Sequence, residues 1–183
     1  MIIAIVVIAI LVILVLIGVG IYNRLVKSKV NVDEALSSID VFLKKRYDLI
    51  PNLVETVKGY ASHEKGTLEN VVAARSKAMN ATGIQSEQEA NNQLTSTLKT
   101  LFALSENYPD LKANTNFLDL QGQLTKLEED ISMSRKYYNG TVREYNTSIR
   151  QIPANIIAGI AGFKAAPFFE TEEESKSVPE VKF

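Results

Sequence analysis

The stretch VDEALSSIDVFLKKRYDLIPNLVETVKGYA, residues 32–61, decides the fold. Val32, Leu36, Ile39, Leu43, Tyr47, Ile50, Val54, Val57 and Ala61 step by three or four, and charged residues fill the positions between them. That spacing gathers the apolar side chains on one face of a helix and predicts that this face is buried. Pro51 lies inside the run. Lacking an N–H, it removes one helical bond, so a bend is expected there. Gly59 and Gly66 weaken the far end, and His63-Glu64-Lys65-Gly66 reads as a turn.

Toward the N-terminus the pattern changes from a stripe to an unbroken apolar run. Met1 to Tyr22 reads MIIAIVVIAILVILVLIGVGIY, without a charged side chain. A helix of about 20 apolar residues crosses a bilayer. Lipid offers no partner for bare backbone groups, so the segment is expected to be helical despite its many β-branched residues. A cleaved signal peptide would want a basic n-region, a shorter core and a small-x-small site. Gly18 and Gly20 supply the last of these, but nothing basic precedes the core. Arg24, Lys27 and Lys29 follow the span, which predicts an N-terminus outside and a cytoplasmic body. Tyr22 stands where an interfacial aromatic would stand.

Toward the C-terminus three more helical patterns follow. Residues 67–81 place Leu68, Val71, Val72 and Ala78 inward, and Asn80-Ala-Thr-Gly83 reads as a loop with a glycine stop. Ser86 and Glu89 fit a capping box ahead of Ala90, Leu94, Leu98, Leu101 and Leu104. Tyr108-Pro109 ends or interrupts that helix. The longest repeat runs through Phe117, Leu120, Leu124, Leu127, Ile131, Ser134, Tyr138, Val142, Tyr145 and Ile149, and Pro153 stops it. No segment reads as strand. The expected fold is all-α: an N-terminal transmembrane helix followed by an antiparallel up-and-down four-helix bundle. The boundaries expected are an anchor at 1–22, the bundle at 23–153, an apolar segment at 154–169 and an acidic tail at 170–183. That tail has five Glu against two Lys and the composition of a disordered segment.

The motifs resemble those of the LemA family. Arg46-Tyr47-Asp48-Leu49-Ile50-Pro51-Asn52-Leu53-Val54-Glu55, continuing to Tyr60, carries the resemblance. So do Glu106-Asn107-Tyr108-Pro109-Asp110-Leu111-Lys112-Ala113-Asn114, the pairs Tyr138-Asn139 and Tyr145-Asn146, Tyr22-Asn23 after the span, and Gly162-Phe163. The likeness extends from Tyr22 to Glu170. It implies a membrane-anchored helical bundle without an established enzymatic activity. One branch of the family is associated with building magnetosome membranes, which implies a membrane-organising role. Some relatives carry a lipid-modified cysteine at the end of the apolar segment; here that zone is Ile17-Gly18-Val19-Gly20.

No catalytic, cofactor-binding or metal-binding residue is nominated, and no cofactor is expected. The chain has no cysteine and one histidine, which excludes disulfides, thiolate sites and multi-histidine metal sites. Asp48 and Glu55 lie two turns apart on one face, but with Glu64 and Glu69 they read as solvated surface, and His63 as an exposed turn residue. Lys44-Lys45-Arg46 reads as a solvated helix face. Tyr138 and Tyr145, one heptad apart, are expected to fill the bundle with each hydroxyl partnered, while Asn139 and Asn146 bridge helices. The apolar stretch from Ile156 to Phe163, with Phe168 and Phe169, is either a contact surface between copies or a cap on its own bundle.

A formal net charge of −1 offers no nucleic-acid surface. The partners expected are the bilayer, further copies of the chain, and an unidentified protein. The function expected is that of a scaffold or adaptor and not an enzyme; the alternative is a sensory accessory that binds a peptide or small ligand through the bundle.

Overall fold

The computed structural model describes residues 1–170; the acidic tail expected beyond Glu170 lies outside the described residues. Among the described residues there are six helices and no strand: α1 (Ile2–Lys58), α2 (Lys65–Asn80), α3 (Ile84–Ser105), α4 (Pro109–Lys112), α5 (Thr115–Ser148) and α6 (Ala154–Ala161). The chain divides into two compact units. Among the described residues, 1–39 and 133–167 form one; 40–132 with 168–170 form the other.

In the second unit, four helical stretches alternate in direction. Tyr47, about three turns before the end of α1, meets Arg75, about three turns into α2. Arg46 meets Thr95 of α3 and Glu128 of α5. The links between these helices are short, the condition for antiparallel neighbours. Ile39, Leu43, Tyr47, Ile50 and Val57 are buried as the stripe predicts, but Ala35 and Leu53 are buried where Leu36 and Val54 are only half so. The α5 stripe from Phe117 to Tyr145 is inside, with Ser134 half-buried.

Three local expectations fail for identifiable reasons. The capping box does not form: α3 begins at Ile84, so Ser86 and Glu89 lie within it. Gly83 precedes it at φ 87°, a conformation that a side chain would strain, and its carbonyl accepts from the Glu87 amide at 3.0 Å. That glycine therefore starts α3, while α2 stops at Asn80 with Ala81 extended. Val72 is exposed, because Leu68, Val71, Ala74 and Ala78 already fill the inward face of α2. α1 runs through Pro51 to Lys58.

The other unit contains the apolar run. Every side chain from Met1 to Ile17 is exposed, so no described residue covers this stretch. It is long and apolar enough to cross a membrane. α1 continues from it without interruption. Leu25, Val32, Tyr138, Val142 and Tyr145 make the buried part of this unit. α6 ends at Gly162, whose φ of 75° lets the Phe163 amide reach back to the Ala158 carbonyl at 3.0 Å. The chain then runs without regular structure from Phe163 to Glu170.

Candidate functional site

The residues that sequence reading singles out fall into three polar assemblies. The first is a layer across the helices of the second unit. Arg46 is 2% exposed, not the solvated residue expected from its basic neighbours. Its Nη1 lies 3.0 Å from Glu128 Oε2, and its Nη2 donates to Thr95 Oγ1 at 2.8 Å. Burial of a guanidinium is costly unless its charge is met, and here α5 supplies a carboxylate and α3 a hydroxyl to its two terminal nitrogens. Lys44 and Lys45 stay on the surface. The Tyr47 hydroxyl donates to Asn91 Oδ1 at 2.9 Å, and the Asn91 amide returns to the Glu87 carbonyl at 2.8 Å.

Pro51 completes this layer. A proline deprives the carbonyl four residues earlier of its helical donor, and here that carbonyl belongs to Tyr47. Arg75 of α2 takes its place, donating Nε–H to the Tyr47 oxygen at 2.7 Å. The Tyr47 carbonyl becomes a docking point for α2.

The second assembly joins the two links at one end of that unit. The Tyr108 hydroxyl donates to Glu64 Oε1 at 2.8 Å. The hydrogen bond to Glu64, with some desolvation, holds the Tyr108 hydroxyl above the ordinary tyrosine range. The Asn114 amide donates to the Tyr60 hydroxyl at 2.9 Å, while its carbonyl oxygen accepts from the Phe117 amide at 2.9 Å. Asn114 thereby caps α5. His63 is exposed beside them, and Asp48 and Glu55 are exposed with Lys44 and Lys58 as partners.

The third assembly holds the C-terminal segment. Tyr138 donates to the Pro167 carbonyl and Tyr145 to the Lys164 carbonyl, both at 2.9 Å. Asn146 makes a matched pair with Ala166: its Nδ2 donates to the carbonyl and its Oδ1 accepts from the amide, each at 2.9 Å. Burial pushes the Tyr138 hydroxyl up, helped by the Asp33 carboxylate; burial also raises Tyr145, against Lys29 and with Asp33. Both hydroxyls are therefore kept as donors. In the second unit, Gln88 repeats the amide pairing on Glu170, at 2.7 and 2.8 Å. The heptad thus anchors an extended strap, and Asn146 binds backbone where a bridge to another helix was expected. Gln88 was missed because nothing marks it within a polar helix start.

Among the described residues, no group of three His, Asp or Glu comes together in a way that could hold a metal. An open groove of about 690 Å³ between α1 and α2 is lined by Val54, Leu68, Val72 and Ala73 together with Glu55, Lys58 and Glu69.

A model of the LemA family matches residues 35–183. Protein LemA of Metamycoplasma hominis is 26% identical over 156 residues, covering 85% of this chain and 71% of that protein. Magnetosome protein MamQ 2 of Paramagnetospirillum magneticum is 24% identical over 175 residues, covering 81% of this chain and 64% of its own. Magnetosome protein MamQ of Magnetospirillum gryphiswaldense is 22% identical over 174 residues, with the same two shares. The chain thus spans somewhat under two thirds of the length of these magnetosome relatives.

Proposed function

The chain belongs to the LemA family, and on that premise we propose that it is a membrane-anchored helical scaffold or adaptor, without a reaction of its own. In this reading it associates with further copies and organises membrane or membrane complexes. The observation that carries the reading is how the signature side chains are spent: Arg46, Tyr47, Tyr108, Asn114, Tyr138, Tyr145 and Asn146 all bond within the protein. A site built to bind or convert a ligand needs convergent polar groups turned toward an opening. These turn toward neighbouring helices and the strap, which is what a rigid presenting body requires. Likeness to proteins named for the magnetosome supports a part in membrane organisation. The basic flank Arg24, Lys27 and Lys29 supports a cytoplasmic body.

Crosslinking in native membranes, followed by sizing in mild detergent, tests this. A scaffold yields defined adducts and a complex larger than one chain. A monodisperse monomer in several detergents, with no adducts beforehand, removes the reading. The groove favours one alternative, a sensory accessory that seats an apolar peptide helix on Val54, Leu68 and Val72. A photo-crosslinker at Ser76, which also lines the groove, captures a discrete peptide or protein in that case, and adding Val72→Asp abolishes the capture.

A further inference from the structure

Ala154–Ala161 reads ANIIAGIA, and of its residues only Ala158 is buried. Ile156 is 59% exposed, Ile160 is 82%, and Ile152, just ahead of the helix, is 84%. Large apolar side chains one turn apart and bare to water mark a surface that something covers. The position of α6 says what does. Ile157 Cδ1 comes within 3.7 Å of where a Cβ on Gly18 would stand. Just past the helix, Phe163 meets the Tyr22 ring edge-on, with centroids 5.8 Å apart and planes at 61°. Gly18 and Tyr22 close the uncharged run, one turn or about 6 Å apart along the axis. α6 therefore lies beside the last turn of the span. Arg150 and Lys164, both exposed, bracket it in sequence.

An apolar helix with an aromatic at its boundary and cations at both flanks suits the zone between acyl chains and headgroups. We propose that α6 is a second membrane element, seated in the leaflet on the Tyr22 side of the bilayer. Ile152, Ile156 and Ile160 enter the acyl chains while Arg150 and Lys164 reach lipid phosphates. The occupant is lipid because the α6 surface continues that of the span, and a water-soluble partner could not reach the level of Gly18. An insertion confined to one leaflet adds area to that leaflet alone, which gives a membrane organiser a direct means of acting on the bilayer. The inference rests on reading residues 1–22 as a bilayer span.

The chain has no cysteine, so single labels can be placed at will. Ile156→Cys, Ile160→Cys, Leu11→Cys and Thr82→Cys in the full chain would each carry an environment-sensitive fluorophore, in vesicles of phosphatidylcholine and phosphatidylglycerol. The expected result is blue-shifted emission at 156 and 160, with quenching by shallow nitroxide lipids several-fold above that at Thr82 and iodide quenching several-fold below it. Iodide access at 160 equal to that at Thr82 overturns the proposal. So does a blue shift without nitroxide quenching, which would mean that protein covers α6. Loss of lipid quenching at Leu11 would remove the span reading and this proposal with it; quenching at Leu11 alone would remove only the seat of α6.

Discussion

The polar layer around Arg46 and the seat of the C-terminal strap solve the same problem with different chemistry. In the layer, side chains from different helices meet one another: Arg46 with Glu128 and Thr95, Tyr47 with Asn91. In the strap seat, Tyr138, Tyr145 and Asn146 bond to the backbone of Lys164, Ala166 and Pro167. A side-chain pair fails if either residue changes. A clamp on backbone fails only if the clamping residue changes, because every sequence of the strap offers the same carbonyls. The difference teaches which substitutions each region should tolerate.

The largest effect is expected in the layer, and it should be asymmetric. Arg46 is 3% exposed at its side chain and Glu128 40%. Glu128→Ala takes the Glu128 carboxylate away from a buried guanidinium, which should cost about 2–4 kcal/mol. Arg46→Met leaves a carboxylate that water can reach and should cost about 1 kcal/mol. Urea denaturation of the two variants decides it. Equal losses, or a larger loss for Arg46→Met, would mean that the ion pair is not what the layer depends on.

The strap seat should lose less and in a different way. Asn146→Leu removes two bonds to Ala166 and should cost about 2 kcal/mol. Tryptic cleavage after Lys164 should then accelerate. Ala165→Ser, within the strap but contributing no clamping side chain, should leave cleavage unchanged. Similar acceleration in both variants would show that the strap is held by its own side chains and not by the clamp.

A smaller effect comes from pH. Tyr138 and Tyr145 are raised by burial, so the folded state keeps their protons after the unfolded chain has begun to lose them near pH 10. The unfolded state then binds fewer protons, and stability falls as pH rises from about 10 through the folded values. Below that range the contribution is fully present. Stability should be flat through neutrality and decline in alkali, and Tyr138→Phe with Tyr145→Phe should flatten the decline. An unaltered alkaline profile in the double variant would assign the loss to other groups.

Much of this was legible in residue spacing. The stripes on α1, α3 and α5 fixed which faces are buried, because a three-four repeat of apolar residues has one low-energy placement. The long apolar helix at the N-terminus was legible from length and lack of charge. The polar assemblies were not, since Arg46 sits in a basic triplet that looks solvated, and its partners Thr95 and Glu128 lie far along the chain. Periodicity reports a face and not a partner. The start of α3 was misread because Ser86 and Glu89 match a capping pattern that Gly83 pre-empts. Tyr138 and Tyr145 were rightly expected to be buried with partnered hydroxyls, but nothing in their spacing says that the partner is a strap 29 and 19 residues later.

The smallest effect is also the most specific. If Arg75 is held by the carbonyl that Pro51 leaves unbonded, the two residues are coupled although neither touches the other's side chain. In the parent, Arg75→Met removes the Arg75 donor from the Tyr47 oxygen and should cost about 1 kcal/mol. Pro51→Ala restores an N–H at position 51, which can bond to Tyr47 within the helix, and Pro51 is exposed so the smaller side chain leaves no cavity. In that background the oxygen is already satisfied, and Arg75→Met should cost clearly less. The cycle of four proteins should therefore show a coupling of roughly 0.5–1 kcal/mol. Strict additivity would mean that Arg75 stabilises α2 through its aliphatic stem or another partner, and Pro51 would lose its role in docking α2. A coupling of the expected sign would make Pro51 and Arg75 one structural unit, bonded across two helices where the layer of Arg46 bonds across three.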